Sequence, residues 1–121
     1  MNKVILVADD SPTIRKFVKV ALSIKGFDII DCSDGMEAIE ALPMQKIDLV
    51  ITDLNMPNVD GFELISSIRK NEAYKELPII VLSSLGNTED IQKGMECGAN
   101  SYLVKPFDPK RVAYEVSKYL N

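Results

Sequence analysis

The stretch VILVADDSP (residues 4–12) joins a short run of aliphatic residues almost directly to two aspartates. A continuously apolar run of this length is typical of a strand buried on both faces of a parallel sheet. Ser11 and Pro12 then mark a helix start, because a serine hydroxyl caps the first turn and proline fits the first helical position. The stretch therefore predicts a strand that ends in two carboxylates, Asp9 and Asp10, and is followed by a helix.

The same alternation recurs along the 121 residues. The five apolar runs are Val4–Val7, Phe27–Ile30, Leu49–Ile51, Ile79–Leu82 and Tyr102–Val104. Helical spacing follows each run, and Gly26 is expected to end the first helix. The later helices are marked by Ala38, Ile39 and Leu42, by Leu64, Ile65 and Ile68, by Thr88, Ile91 and Met95, and by Val112, Val116, Tyr119 and Leu120. The fourth helix is expected to end near Gly98, and the fifth to reach the C-terminus.

This (βα)5 pattern predicts an α/β fold in which helices cover both faces of one parallel sheet. The runs at 27–30 and 102–104 mix polar with apolar residues, so strands 2 and 5 are predicted to be the edges of the sheet. The strand order 2-1-3-4-5 follows, which is the flavodoxin-like, doubly wound arrangement. The length fits one domain, and we expect residues 1–121 to form it.

Composition excludes several classes of function. A net charge of −4 and a pI of about 4.8 argue against direct binding to nucleic acid. The absence of histidine excludes catalytic triads and histidine metal ligands, and the two cysteines, Cys32 and Cys97, have no zinc-site or disulfide-framework spacing. No apolar stretch approaches the roughly 20 residues of a membrane span. We therefore expect a cytoplasmic protein with no nucleic-acid and no membrane partner.

Polar residues directly follow four of the predicted strands. Asp9 and Asp10 follow strand 1, Asp53 follows strand 3, Ser83 lies at the end of strand 4 and Lys105 follows strand 5. Each has an ordinary alternative: the aspartates as turn or cap residues, Ser83 as a helix cap, and Lys105 as a solvated lysine. The carboxyl ends of parallel strands share one edge, so the joint placement favours a common site.

Three carboxylates beside one lysine require a proton or a cation, because two carboxylates about 4.5 Å apart repel by roughly 4 kcal/mol at an effective dielectric of 20. Oxygen ligands without histidine or thiolate favour Mg²⁺, which is usually completed by a phosphate oxygen. Asp9 and Asp10 are the predicted metal ligands, with the backbone carbonyl of Asn55 as an additional candidate. Asp53 is the candidate nucleophile that would form an aspartyl phosphate. Lys105 and Ser83 could bind phosphoryl oxygens.

The motifs VADDS, DLNMPNVDG, VLSS and YLVKPF, in this order, resemble the signature of two-component response-regulator receiver domains of the stand-alone, CheY-like type. The resemblance covers nearly the whole chain. It implies that Asp53 is the phosphoacceptor, that Asp9, Asp10, Asp53 and the Asn55 carbonyl hold Mg²⁺, and that Lys105 binds the phosphate. It further implies that Ser83 and Tyr102 are the switch residues and that a cis peptide joins Lys105 to Pro106.

The resemblance also implies partners. The phosphodonor would be a histidine kinase or a histidine phosphotransfer protein, and the output would be altered protein binding on a face made by helix 4, strand 5 and helix 5. Chemotaxis or motility is one expected setting, and we expect a monomer. Such a protein is a phosphoacceptor switch with self-catalysed transfer and autodephosphorylation rather than a conventional enzyme.

Three other functions stay open at this point. A receiver-like module could bind its partner constitutively, without phosphorylation. A metal-dependent phosphohydrolase would need a substrate pocket and a cap, for which 121 residues leave little room. Nucleotide or flavin binding lacks a glycine-rich loop after strand 1. One departure from the commonest family pattern is apolar Leu85, for which we hypothesise a role in shielding the phosphoryl group from water.

Overall fold

Residues 2–120, which a computed structural model of the chain describes, form five strands that alternate with five helices. In chain order the elements are β1 (Val4–Ala8), α1 (Pro12–Ser23), β2 (Asp28–Cys32), α2 (Gly35–Ala41), β3 (Leu49–Thr52), α3 (Gly61–Lys70), β4 (Ile79–Ser83), α4 (Thr88–Cys97), β5 (Ser101–Val104) and α5 (Pro109–Ser117). Short 3-10 turns follow α2 at Leu42–Met44 and α3 at Glu72–Tyr74.

The strands form one parallel sheet in the order β2-β1-β3-β4-β5, as predicted. Ala8, the last residue of β1, lies opposite Cys32 of β2 and Thr52 of β3. Ser83 of β4 lies opposite Val104 of β5. The residues that follow these strands therefore meet at one edge of the sheet, which we call the carboxyl edge.

Two apolar layers hold the helices against the sheet. One layer joins Leu6 and Val50 to Leu64 and Ile68 of α3, and the other joins Ile5 and Ile51 to residues of α1 and α5. Every residue of β3 and β4 is buried, which explains their uninterrupted apolar sequences. Burial of each large aliphatic side chain contributes about 1.5–3 kcal/mol, so the sheet is a rigid base for the loops at its carboxyl edge.

A side chain caps the first turn of each helix, and all five helices begin at the carboxyl edge. Each cap accepts a backbone N–H from the residue three positions later; the caps are Ser11, Asp34, Asp60, Asn87 and Asp108. Ser83 is therefore not the cap of α4. The longest helix, α1, has 12 residues, and none of the helices described here has the length and apolar character needed to cross a bilayer.

Several element boundaries differ from the prediction. The second strand begins at Asp28 instead of Phe27, because the N–H of Phe27 donates to Leu22 O and completes the end of α1. Helix α5 ends at Ser117 instead of continuing to the C-terminus, since the N–H groups of both Tyr119 and Leu120 donate to Val116 O in a turn. These shifts move no residue of the carboxyl edge.

Helix α4 forms where Thr88, Ile91 and Met95 predicted a helix, but none of these three residues is fully buried. Within Thr88–Cys97, Gly94 is the one fully buried residue, while Met95 is 41% exposed. Gly94 faces the ring of Tyr102, and a Cβ added to it would lie 3.3 Å from that ring. Helix α4 therefore packs on β5 at a glycine–tyrosine contact and carries Met95 on its surface.

Candidate functional site at the carboxyl edge

The three predicted aspartates lie together at the carboxyl edge. Asp9 follows β1 and Asp53 follows β3, and the N–H of Asp53 donates to Ala8 O at 2.9 Å, so the sheet itself sets their spacing. Carboxylate oxygens of Asp9, Asp10 and Asp53 lie within 4.8 Å of one another. Asp9 and Asp53 are buried, whereas Asp10 is exposed. This arrangement offers oxygen ligands with one side open to solvent.

Lys105 joins two of the three carboxylates. Its Nζ lies 3.1 Å from Asp9 Oδ2 and 3.5 Å from Asp53 Oδ2. Its backbone N–H donates to Ser83 O at 2.8 Å, which fixes the start of the side chain beside β4. The Lys105–Pro106 peptide bond is cis, as the family resemblance implied. With all four side chains ionised, the cluster carries a formal charge of −2.

Burial raises the pKa of Asp9, and the nearby charge of Asp53 raises it further. The N–H of Ser11, 2.9 Å from Asp9 Oδ1, and the Lys105 ammonium partly offset that rise. A bound cation would act in the same direction as these two groups, because it stabilises the ionised carboxylate. The electrostatics of the cluster therefore favour a positively charged ligand.

Asp53 Oδ1 accepts the N–H of Leu54 at 2.7 Å, and Oδ2 is the oxygen near Lys105. The carboxylate is therefore held in one orientation. Asn55, two residues further on, lies with Asp10 in the lining of an open cavity of about 420 Å³ at this edge. Two of the predicted metal-binding residues, Asp10 and Asn55, thus face a space that a small anionic group can enter.

Ser83 and Tyr102 are connected through the backbone of Leu85. The buried Ser83 Oγ accepts the N–H of Leu85 at 3.2 Å, and the Tyr102 hydroxyl donates to Leu85 O at 2.5 Å. Tyr102 is half-buried, and this burial raises the pKa of its phenol. One peptide unit therefore connects a hydroxyl at the carboxyl edge to an aromatic ring packed against α4.

A set of contacts that the sequence did not reveal holds the loop between β3 and α3. Asn58, with a φ of 66°, donates from its side chain to Asp34 Oδ2 at 2.6 Å, and the N–H of Gly35 donates to Val59 O at 3.1 Å. The N–H of Glu37, which donates to Asp34 Oδ1, lowers the pKa of Asp34, and the bond from Asn58 lowers it further. The available signal was Asp34 after strand 2 with Glu37 three residues later, a pattern typical of a helix start.

Two further positioning contacts were also missed. Gly61, at the start of α3, lies so close to the end of β3 that an added Cβ would be 2.0 Å from Asp53 O. Arg15 of α1 donates to Asp9 O at 2.7 Å and pairs with Asp31 at 3.4 Å. Both contacts act on the backbone that carries an aspartate of the cluster.

Comparisons with known proteins agree with this geometry. The family model for the response regulator receiver domain matches residues 5–117. Among curated proteins, the chain is 45% identical to the sensor protein EvgS of Escherichia coli O157:H7 over 84% of its own length, and 39% identical to a probable transcriptional regulator, ycf27, of Porphyridium aerugineum over 96%. It is 37% identical to the chemotaxis protein CheY1 of Helicobacter pylori over 88%.

The chain spans 8% of EvgS, 47% of the ycf27 protein and 87% of CheY1. The first two relatives are therefore much longer than this sequence.

Solved structures give the same assignment. The chemotaxis response regulator CheY4 of Vibrio cholerae has a TM-score of 0.93 and 33% identity, with 99% of this chain and all of that chain covered. The receiver domain of the sensor histidine kinase PA1611 of Pseudomonas aeruginosa, described with magnesium coordinated in its active-site cleft, has a TM-score of 0.90 and 25% identity, with 98% of each chain covered. With a matched family model over nearly all of its length, the chain belongs to the response regulator receiver domain family.

Proposed function

We propose that this receiver domain acts as a phosphorylation-controlled binding switch in which Asp53 is the phosphoacceptor and Mg²⁺ is the cofactor. Receiver domains are phosphoacceptor switches rather than conventional enzymes, and histidine kinases are the phosphodonors of the family. The observation that carries the proposal is the cluster of three carboxylates within 4.8 Å, two of them paired with Lys105.

The donor set fits Mg²⁺. The candidate ligands are the carboxylates of Asp9, Asp10 and Asp53 and the backbone carbonyl of Asn55, all hard oxygen donors. A divalent cation also matches the formal charge of −2 that the four ionised side chains carry. When bound, Mg²⁺ would neutralise charge on the incoming phosphoryl oxygens. Receiver domains bind Mg²⁺ at such an acidic pocket, which supports this assignment.

In the proposed transfer, an Asp53 carboxylate oxygen forms a bond to phosphorus while the phosphorus–nitrogen bond of a phosphohistidine breaks. The electron pair of that bond stays on the histidine nitrogen of the donor. The donor must be a separate group, because this chain contains no histidine. Lys105, which already lies 3.5 Å from Asp53 Oδ2, would pair with a phosphoryl oxygen and offset its charge.

The switch would run through Leu85. A phosphoryl oxygen that attracts the Ser83 hydroxyl would also move the Leu85 peptide, whose N–H is bonded to Ser83 Oγ and whose carbonyl is bonded to the Tyr102 hydroxyl. Tyr102 packs against Gly94, so its movement would alter the surface formed by α4, β5 and α5. The phosphoryl group shifts this equilibrium only by its differential interaction with the two states.

We further propose a cytoplasmic, monomeric protein whose output is contact with another protein. The similarity to CheY1 and CheY4 over nearly whole chains supports a setting in chemotaxis or motility. The similarity to the sensor protein EvgS supports a role in signal transduction.

Phosphoryl transfer from a phosphohistidine tests the proposal. A ³²P-labelled histidine phosphotransfer domain is incubated with the wild-type chain and with Asp53→Asn, each with Mg²⁺ and with excess chelator. We expect label to pass to the wild type with Mg²⁺ alone. Equal labelling of Asp53→Asn would contradict the assignment of Asp53, and equal labelling in chelator would contradict the role of Mg²⁺.

A second candidate function is constitutive partner binding without phosphorylation. The observation that favours it is that Tyr102 is already half-buried and bonded to Leu85 O in the unphosphorylated chain. The two candidates differ in one measurement: equal affinity of phosphorylated wild type and Asp53→Asn for a captured target would favour the constitutive module.

A further inference from the structure

A groove lies between α1 and α5, outside the carboxyl edge. It has a volume of about 510 Å³ and is lined by Ala21, Ile24, Lys25, Phe27, Pro109, Lys110, Ala113, Tyr114 and Ser117. Large apolar side chains stand at its rim: Ile24 is 77% exposed and Tyr114 is 64% exposed. Val20 of α1 is also 51% exposed. Exposed apolar side chains that flank a groove are typical of an interaction surface.

The charge of the two helices is opposite to that of the chain. Residues 12–25 hold four basic and no acidic residues, and residues 109–118 hold three basic residues and one acidic residue. The two segments therefore carry seven of the 14 basic and one of the 18 acidic residues, which leaves seven basic and 17 acidic residues elsewhere. In a protein with a net charge of −4, these two segments are thus strongly basic.

Internal ion pairs neutralise little of this charge. Arg15 pairs with Asp31, and Lys118 pairs with Glu115. The other five cations form no salt bridge with any residue between 2 and 120; they are Lys16, Lys19, Lys25, Lys110 and Arg111. Two of them, Lys25 and Lys110, line the groove itself.

We propose that this groove, which we call the α1–α5 groove, binds an acidic amphipathic helix of a partner protein. Apolar side chains of that helix would occupy the space between Ile24 and Tyr114, and its acidic residues would face Lys25 and Lys110. Charge complementarity selects the acidic partner, and a groove lined by residues of two helices, with exposed apolar side chains at its rim, suits a helix that presents one apolar face. No buried polar group converges on the groove, as a small-molecule site would require.

The groove does not include the phosphorylation site, although Pro109 and Lys110 stand in the first turn of α5. Helix α1 begins at the carboxyl edge and extends about 18 Å from it over 12 residues, so its last turn, with Ile24, lies at the opposite end. None of Asp9, Asp53 and Lys105 lines the groove. Binding at the α1–α5 groove is therefore expected in the unphosphorylated chain and in Asp53→Asn.

A titration with a designed peptide tests the proposal. The probe is an amphipathic helical peptide of about 15 residues, with leucine at positions i, i+3, i+4 and i+7 and glutamate on the other face. The control peptide keeps the leucines and carries lysine in place of glutamate. Binding is followed by fluorescence anisotropy, and the contact surface is mapped by amide chemical-shift changes in the ¹⁵N-labelled chain.

Two pairs of variants separate local from general effects. The double variant Lys25→Glu/Lys110→Glu reverses charge at the groove. The double variant Lys3→Glu/Lys75→Glu makes the same change in net charge at exposed lysines outside the groove lining. Ile24→Ser removes an apolar side chain at the groove, and Met44→Ser removes one that is 79% exposed outside the groove lining. All these side chains are exposed, so the variants are expected to fold.

We expect the glutamate peptide to shift amides of residues 20–27 and 110–117. The groove charge reversal should weaken binding about tenfold, Ile24→Ser should weaken it by several-fold, and each control variant should change it less than about twofold. Absence of binding, equal binding of the lysine peptide, or equal losses in groove and control variants would overturn the proposal. Binding to anionic vesicles in preference to the peptide would also overturn it, in favour of a membrane surface.

Discussion

Gly61→Ala tests how tightly the start of α3 packs on the strand that carries Asp53. An alanine Cβ at this position would lie 2.0 Å from Asp53 O, 2.7 Å from Leu54 Cα and 2.9 Å from Asp53 C. Ordinary carbon–oxygen contacts are about 3.4 Å, and a single pair gains only a fraction of a kcal/mol at that separation, so the backbone must move by more than about 1 Å. All three neighbours are backbone atoms, which cannot turn away as a side chain can.

The expected magnitude follows from two losses and one gain. Overpacking costs about 1–3 kcal/mol, and the Gly61 N–H bond to Leu54 O, 2.9 Å long, contributes about 1 kcal/mol. Replacing glycine also restricts the unfolded chain, which returns about 0.4–1 kcal/mol. We therefore expect Gly61→Ala to lower the free energy of unfolding by about 1–3.5 kcal/mol.

Urea unfolding measures this change, and Gly94→Ala is the matched control. Its added Cβ would meet only the ring of Tyr102, at 3.3 Å, and that ring can shift. The control should therefore stay within about 1 kcal/mol of wild type. Because Gly61→Ala also displaces Asp53, its Mg²⁺ affinity should fall about tenfold. A free energy of unfolding for Gly61→Ala within about 0.5 kcal/mol of wild type would show that the start of α3 is not tightly packed on the end of β3.

Three further predictions concern Lys105, Leu85 and Cys32. Lys105→Met removes a positive charge 3.1–3.5 Å from two proposed ligands, so Mg²⁺ affinity at pH 8 should rise about tenfold while phosphorylation falls; an unchanged Kd for Mg²⁺ would contradict this. Leu85→Glu should speed loss of the phosphoryl group, measured as dephosphorylation over time, because it replaces an apolar side chain with a polar one that admits water; an unchanged or slower rate would refute the shielding hypothesis. Burial, together with the nearby carboxylates of Glu37, Asp31 and Asp34, raises the pKa of Cys32 from 9.0 to about 11. The folded state therefore holds the thiol proton more tightly than the unfolded chain does. The resulting contribution to the free energy of unfolding is fully present below about pH 9 and should fall by about 2–3 kcal/mol as the pH rises through 11. Cys32→Ala should lack this component in urea unfolding between pH 8 and 11, and an identical pH slope in both proteins would count against it.

The fold could be predicted because its strands carry their own signal. The runs ending at Val7 and Ile51 are continuously apolar since both faces of the sheet are covered, and the polar residues of β2 identify it as an edge. The helical spacing of Thr88, Ile91 and Met95 correctly predicted α4, but spacing alone does not show which residues of a helix are buried. The fully buried residue of α4 is Gly94, which no hydrophobic pattern would select.

The contents of the site were partly predictable for a similar reason. Topology alone brings Asp9, Asp53 and Lys105 to one edge, so their proximity followed from strand order. The contacts that hold the loops did not, because the bond from Asn58 to Asp34 joins residues 24 positions apart in two irregular segments. Local sequence rules identify a helix cap at Asp34 but cannot assign the partner of its second oxygen.

The central claim is that Asp53 is the phosphoacceptor of a self-catalysed, Mg²⁺-dependent reaction. The most direct test is the intact mass of the chain after incubation with Mg²⁺ and a small acyl phosphate, for wild type and Asp53→Asn. We expect the mass of the wild type to increase by one phosphoryl group with Mg²⁺, and no increase for Asp53→Asn or in excess chelator. A wild type that binds Mg²⁺ yet gains no mass, or an Asp53→Asn protein that gains the same mass, would contradict it.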